Sequence, residues 1–343
     1  MPRDYEKEFR EKLEKYGYDW ERHMKIFRGR SPEEFGFKEI IYEKFYDKWA
    51  ARITLNRPHR YNAYTGTELY EICQALEDAM MDDGIAVIVI TGAGDKAFCT
   101  GGDAGTYSVI YPERPHEFYN WWTYYERMLY LIRTCGKPVI ARINGVVAGG
   151  GNEINLACDI SIAAEHARFI QPGTRTGSVS AGGATQWLPL TIGDKRTRWM
   201  VMVGDEIDAK TALEWGLVNE VVPYEKLDEA VDRVIEKLVN KFPDCMRYTK
   251  VQCNFWGDLA WTTFQHARDW LTIHYATGEP IEGFSAFLEK RKVDYIGLRK
   301  LSKEGKSHTY YPWGAPIKYC DKCGAKYLPQ EFEYCGKCGA KLE

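Results

Sequence analysis

Two glycine-rich turns carry the residues that could do chemistry: Phe98-Cys99-Thr100-Gly101-Gly102-Asp103 and Ala148-Gly149-Gly150-Gly151-Asn152-Glu153. Each lies downstream of an apolar run, Ala86–Thr91 for the first and Pro138–Ile143 for the second. Glycine lets backbones approach closely, and a helix opening at such a turn points unpaired N–H groups outward. Two of these turns side by side can aim two donors at one oxygen and so form an oxyanion hole. A Gly-Gly-Gly run is more often simple packing. Phosphate binding is the rival use, but no Walker lysine is present and neither turn fits the dinucleotide fingerprint. Glu153, one turn into the helix that the second turn opens, can act as an acid/base group or merely answer the helix dipole.

Four of the ten cysteines form a second constellation, Cys320-x-x-Cys323 and Cys335-x-x-Cys338, with 11 residues between the pairs and a glycine after each pair. Two such knuckles can supply four thiolates in a tetrahedron, which suits zinc; iron held as in rubredoxin is the lesser alternative. No position stays open for substrate, so the site reads as structural. The remaining six (Cys73, Cys99, Cys135, Cys158, Cys245 and Cys253) sit in apolar or helical contexts and read as buried thiols.

Composition sets the bounds around these sites. At 343 residues, 45% of them hydrophobic, the chain can hold one large domain and an appendage. A formal net charge of −3 gives no electrostatic reason to expect nucleic acid. No apolar run approaches the ~20 residues that span a bilayer, and the charged N-terminus lacks a signal-peptide core. These features lead to the expectation of a cytoplasmic protein with no membrane partner.

The elements alternate in a way that positions the turns. Residues 1–37 read as a helical extension, packed on the body or on a neighbouring subunit. Over 38–223, strands at Ile40–Tyr42, Ala51–Asn56, Ala86–Thr91, Pro138–Ile143 and Ile160–Ala163 alternate with helices at Thr65–Met81 and Gly149–Ala157, which predicts an α/β core. Residues 224–298 read as helices, 299–315 as a polar linker, and 316–343 as the ribbon. The ribbon segment holds five lysines and four acids, which suits subunit or partner contacts better than nucleic acid. The aromatic stretch Tyr107–Tyr130 reads either as a lid or as subunit packing. His116 within it reads as a solvated loop histidine.

Asn56-Arg57-Pro58 with Asn62-Ala63, the Ala97–Asp103 turn, Lys137–Ala141, Gly149–Glu153, Cys158-Asp159-Ile160, Gly216-Leu217-Val218 and Phe287–Lys292 together resemble the enoyl-CoA hydratase/isomerase (crotonase) family. They follow the family order and spacing over roughly residues 38–296. The resemblance implies a spiral of ββα units, a helical C-terminal region that builds trimers or hexamers, and a CoA thioester held by the Gly102 and Gly150 N–H groups. It makes Glu153 a catalytic acid/base and places Ala63, Asp103 and Tyr275 along the acyl pocket. It also brings Lys290 and Arg291 to the CoA phosphates; a solvated charge run is the equal alternative.

Two departures qualify the activity. Hydratases of the family carry a second glutamate where this chain has Gly173, and the dihydroxynaphthoyl-CoA synthase branch carries an aspartate where this chain has Ser180. The segment Gly173–Trp187 is similar to that of 6-oxocyclohex-1-ene-1-carbonyl-CoA hydrolases of anaerobic aromatic degradation. That resemblance implies ring opening by two additions of water, with Ser180, Thr176 or a pocket tyrosine orienting the second. A simple hydratase or isomerase of a cyclic acyl-CoA, and a non-catalytic scaffold that binds a partner through its ribbon, are the other two readings.

Overall fold

The computed structural model describes residues 4–24, 29–310, 318–326, 328 and 332–342. In chain order the strands are β1 (Ile40–Phe45), β2 (Ala50–Leu55), β3 (Val87–Gly92), β4 (Ala97–Cys99), β5 (Val139–Ile143), β6 (Val146–Ala148), β7 (Ile160–Ala164), β8 (Arg168–Ile170), β9 (Ile207–Asp208) and β10 (Glu220–Val222). They make a six-stranded sheet ordered β1-β2-β3-β5-β7-β10 and a four-stranded sheet ordered β4-β6-β8-β9. Only the β1–β2 and β8–β9 pairings are antiparallel. The crotonase spiral follows from this connectivity: β3, β5 and β7 each pass to a partner in the other sheet, β4, β6 and β8, and then into a helix.

That connectivity positions the chemistry. Because β4, β6 and β8 are adjacent and parallel, the turns at their C-terminal ends arrive side by side, carrying Gly102, Gly150 and Gly173. Every residue of β3 and β5 is buried, the signature of strands covered on both faces; both are largely apolar, β5 being interrupted by Arg142. Two buried asparagines fix the loop between β3 and β4. Asn62 Nδ2 donates to the Ala93 and Ala97 carbonyls, and Asn144 Nδ2 donates to those of Gly94 and Ala97. Asn144 Oδ1 accepts the Gly92 N–H at 3.0 Å.

The helix Gly66–Met81 starts on a Thr65 cap that accepts the Glu68 N–H at 3.1 Å, and it buries Leu69, Ile72 and Leu76. The aromatic stretch forms two helices, Ala104–Glu113 and Pro115–Thr134. Phe118, Trp121, Trp122, Tyr125 and Leu129 recur on the inward face of the second. The C-terminal helices Pro243–Asp258, Trp261–His274 and Gly278–Leu288 pack on the spiral. The first of them is pinned by Lys250, which donates to Asp159 at 2.7 Å and to two backbone carbonyls.

Several expectations change at this level. Cys245 and Cys253 are exposed on that helix, because the packed side presents Lys250 and Asn254 instead. The polar stretch after residue 298 begins inside a helix, Tyr295–Lys303, and the Tyr310 carbonyl then accepts the Gly278 N–H. Residues 311–317, with the expected linker–ribbon boundary, lie outside the described residues. The N-terminal helix Tyr5–Tyr16 buries no residue, and Phe9 meets Trp20 edge-on at 5.2 Å.

Glu68 is fully buried, and burial together with the nearby Glu39 pushes its carboxyl up to about 9. A carboxyl that ionises near 4.5 when unfolded and near 9 when folded stabilises the fold below pH 4.5 and loses that contribution as pH rises to 9. The slope is at most about 1.4 kcal/mol per pH unit. Glu68→Gln removes the titration, so the variant should gain stability over the wild type between pH 6 and pH 8, as read by urea unfolding. An equal difference at both pH values would refute the assignment.

Candidate active site and metal centre

The two glycine turns touch. A methyl group on Gly101 would come within 3.0 Å of the Gly150 nitrogen, and one on Gly151 within 2.0 Å of the Cys99 carbonyl oxygen. Tyr64 bridges the first turn, donating its N–H to the Gly101 carbonyl and accepting the Asp103 N–H. The intervening Gly102 N–H is thereby directed away from Tyr64. The Gly150 N–H opens the helix Gly150–Ala157 and belongs to the unpaired first turn. Each of the two glycines lies under a tyrosine. A methyl on Gly150 would fall 1.8 Å from Tyr64 Oη, and one on Gly102 would fall 2.2 Å from the Tyr107 ring.

Both turns line a cavity of about 880 Å³. Tyr64, Tyr107, Trp121, Tyr125, Tyr275 and Phe284 form aromatic walls on it. The inner face of the aromatic stretch forms part of the wall of the cavity. His116 stays exposed outside, stacked on Tyr119.

Glu153 lines the cavity and is only 6% exposed. Its Oε1 accepts the Gly182 N–H at 3.0 Å and the Ala184 N–H at 3.4 Å; its Oε2 accepts the Tyr125 hydroxyl. Burial raises its ionisation above the ordinary carboxylate range, and the Tyr125, Ala184 and Gly182 donors only partly offset this. A carboxyl tuned upward is suited to take and return a proton near neutral pH.

The two missing acids turn out to be one local fact. A methyl on Gly173 would lie 2.9 Å from Ser180 Oγ, so the positions that carry the second acid in the two branches adjoin each other here and hold a glycine and a serine. Nearby, Ser178 Oγ and Tyr275 Oη lie 2.5 Å apart. Of the other expected residues, Ala63 lines the cavity, and Asp103 caps the helix Ala104–Glu113 while pairing with Arg57 at 3.1 Å. Lys290 and Arg291 stand on the rim. The Arg291 guanidinium is already engaged by Glu282 at 2.6 Å and Glu289 at 2.5 Å, which leaves Lys290 as the better candidate for a phosphate. Sequence reading missed Tyr64, Tyr125, Ser178 and Gly182; the 118/121/122/125 periodicity was the available signal for Tyr125.

Residues 48–298 match the family described as enoyl-CoA hydratase/isomerase. The chain belongs to the crotonase family. An enoyl-CoA hydratase from Mycobacterium avium subsp. paratuberculosis K-10 is 26% identical over 75% of this chain and 98% of its own, with a TM-score of 0.68. An enoyl-CoA hydratase from Bacillus anthracis is 30% identical over 76% and 100%, with a TM-score of 0.60. An enoyl-CoA hydratase/isomerase from Xanthobacter autotrophicus Py2 is 28% identical over 78% and 94%, with a TM-score of 0.63. As a crotonase, the chain is built to act on CoA thioesters, and among its described residues no helix is long and apolar enough to cross a membrane.

Outside the crotonase body, the Sγ atoms of Cys320, Cys323, Cys335 and Cys338 all lie within 4.8 Å of one another. The Cys320–Cys338 and Cys323–Cys335 pairs are 3.5 and 3.6 Å apart, near the edge of about 3.8 Å expected for a tetrahedron of zinc–thiolate bonds. Both knuckles turn alike, with Gly324 donating to the Cys320 carbonyl and Gly339 to that of Cys335. Four converging thiolates fit Zn²⁺ as a structural ion.

Two outcomes follow. Gly150→Ala should fold yet lose on the order of 100- to 1000-fold in kcat, because the methyl strikes Tyr64 and moves a donor; a rate near wild type would remove Gly150 from the oxyanion hole. Elemental analysis should find one zinc per chain, lost in Cys335→Ser with the crotonase body still folded.

Proposed function

We propose that the protein hydrolytically opens a cyclic oxo-enoyl-CoA, taking 6-oxocyclohex-1-ene-1-carbonyl-CoA to 3-hydroxypimeloyl-CoA. The observation that carries this is one buried glutamate beside two converging glycine turns, in an aromatic-walled cavity whose second acid position holds Gly173 and Ser180. Aromatic walls suit a flat ring. Lys290 on the rim would meet CoA phosphate.

In the first step Glu153 takes a proton from water as the oxygen bonds to the β-carbon. The double-bond pair moves onto the thioester, where the Gly102 and Gly150 N–H groups hold the enolate oxygen. Glu153 returns the proton to the α-carbon. In the second step Glu153 takes a proton from another water, which adds to the ring ketone. The tetrahedral intermediate collapses to a carboxylic acid, and the electron pair of the breaking C–C bond becomes a second, open-chain thioester enolate held by the same two N–H groups. Glu153 protonates the α-carbon again. Each step passes through its own thioester enolate, held at the same two N–H groups, and each uses one proton exchange, so a single carboxylate suffices. Ser180 and the Ser178–Tyr275 pair are placed to orient the second water or the ketone.

The exposed apolar residues on the C-terminal helices, among them Phe242, Val251, Phe255, Trp256 and Ile273, support assembly with further copies of the chain. The test is mass spectrometry of the product from 6-oxocyclohex-1-ene-1-carbonyl-CoA, with crotonyl-CoA as comparison. We expect a gain of two waters with an opened ring, and a loss of at least about 100-fold in Glu153→Gln. One water with the ring intact would make the enzyme a hydratase. No change in either thioester would favour a scaffold, with the ribbon as its contact surface.

A further inference from the structure

The missing second acid leaves a question about proton movement that the surroundings of Glu153 answer. Oε1 is occupied by the two backbone N–H groups of Gly182 and Ala184, so it is not positioned to take a proton from a water in the cavity. Oε2 is covered by the Tyr125 hydroxyl. That hydroxyl has one hydrogen and lies near three oxygens, Glu153 Oε2, the Gly182 carbonyl at 3.3 Å and the Tyr64 hydroxyl; the carboxylate contact is the shortest, so the hydrogen goes there. The phenol oxygen keeps its lone pairs, and Tyr125 lines the cavity. The ring is held in place by near-parallel stacking on Trp121, at 5.3 Å and 7°, and on Tyr64, at 5.7 Å and 26°. Gly182 makes the arrangement possible, since a methyl there would come within 2.4 Å of the Tyr125 ring and 2.7 Å of Glu153 Oε2.

We propose that Tyr125 and Glu153 work as one acid/base unit, in which the Tyr125 hydroxyl meets the attacking water and relays protons to and from the carboxylate. This rests on Glu153 being the base of the reaction. When water adds, its O–H bond breaks and the proton bonds to Tyr125 Oη, while the phenol's own proton crosses to Glu153 Oε2. The electron pair released from water forms the new C–O bond. On return, the carboxyl proton passes to Oη and the phenol's proton passes to the α-carbon, so the pair ends as it began. One carboxylate thereby reaches two places in the cavity, which is how a site with Gly173 and Ser180 in place of a second acid can serve two additions of water. The titratable side chains facing Glu153 are Tyr64, Tyr107, Tyr125 and Tyr275, and burial holds each of them neutral through the working range. Glu153 is then the group of this unit that titrates.

The test is Tyr125→Phe in the full-length protein, which keeps the ring and removes the hydroxyl. Rates are followed against pH on whichever thioester the wild type converts, and on exchange of the α-proton of butyryl-CoA with deuterated water. In parallel, an infrared titration follows the protonated-carboxyl band that Glu153→Gln abolishes and needs no turnover. We expect kcat to fall by about 100-fold or more, KM to change little, and both the ascending limb of the profile and the infrared midpoint to move up by about one pH unit. An unchanged kcat overturns the relay even if the midpoint moves, because Tyr125 then only tunes the charge. A fallen kcat with limb and midpoint unmoved also overturns it, because the loss is then structural. A wild type that leaves the ring substrate intact but hydrates crotonyl-CoA refutes the ring-opening reading alone, and the relay is still judged on the substrate that turns over.

Discussion

The close approach of two backbone turns is the constraint on which the site depends. The turn after β4 and the turn after β6 meet so tightly that methyl groups on Gly101, Gly102, Gly150 or Gly151 would each strike backbone or a tyrosine ring. Any larger residue would push the turns apart and separate the two N–H donors, whose value lies in being fixed before charge develops. The parallel β4-β6-β8 sheet brings the turns together, and the asparagine clamps at Asn62 and Asn144 stop the β3–β4 loop from relaxing. Tyrosine rings then occupy the space that the missing side chains leave, so the same constraint that builds the oxyanion hole also shapes the acyl cavity.

Burying Glu153 beside that hole has an electrostatic consequence. Three other carboxylates are answered by a cation or by several backbone N–H groups: Asp103 by Arg57, Asp159 by Lys250, and Glu71 by the N–H groups of Lys38, Glu39 and Ile40. Glu153 receives two backbone donors and a phenol but no cation, so its charge is tolerated without being strongly favoured. Its ionisation is raised by burial above the ordinary carboxylate range, the direction that suits a carboxyl exchanging protons with substrate.

What could be read from the sequence follows from how local each signal was. The glycine turns and the cysteine knuckles stand out by local spacing, whereas the acid/base role of Glu153 was legible only through the family resemblance, its partners being 28 to 31 positions away. Tyr125 meets Glu153 across 28 positions, and Ser178 meets Tyr275 across 97, and no local pattern joins such pairs. Gly182 carried no signal because its role is to leave room for two side chains that come from other segments. The aromatic stretch was visible as composition, but its meaning required knowing that its Phe118–Tyr125 stripe faces inward. The family resemblance implied Arg291 as a phosphate ligand, while the partner that engages it, Glu282, stands nine positions away.

The ribbon obeys different physics from the crotonase body. Among the described residues its buried cluster consists of Cys320, Cys335 and Leu342, with Cys323, Cys338, Ala325, Leu328 and Ala340 packed around them. So few apolar contacts cannot offset the chain entropy of a segment this short, and domains below ~40 residues generally need a metal or cross-links. Binding of zinc by four thiolates supplies that missing free energy directly. The body, with its extensive buried core, has no such dependence. Metal loss should therefore unfold the ribbon while the cavity, the glycine turns and Glu153 keep their arrangement, which assigns the ion to architecture and keeps it apart from the proposed chemistry of the crotonase body.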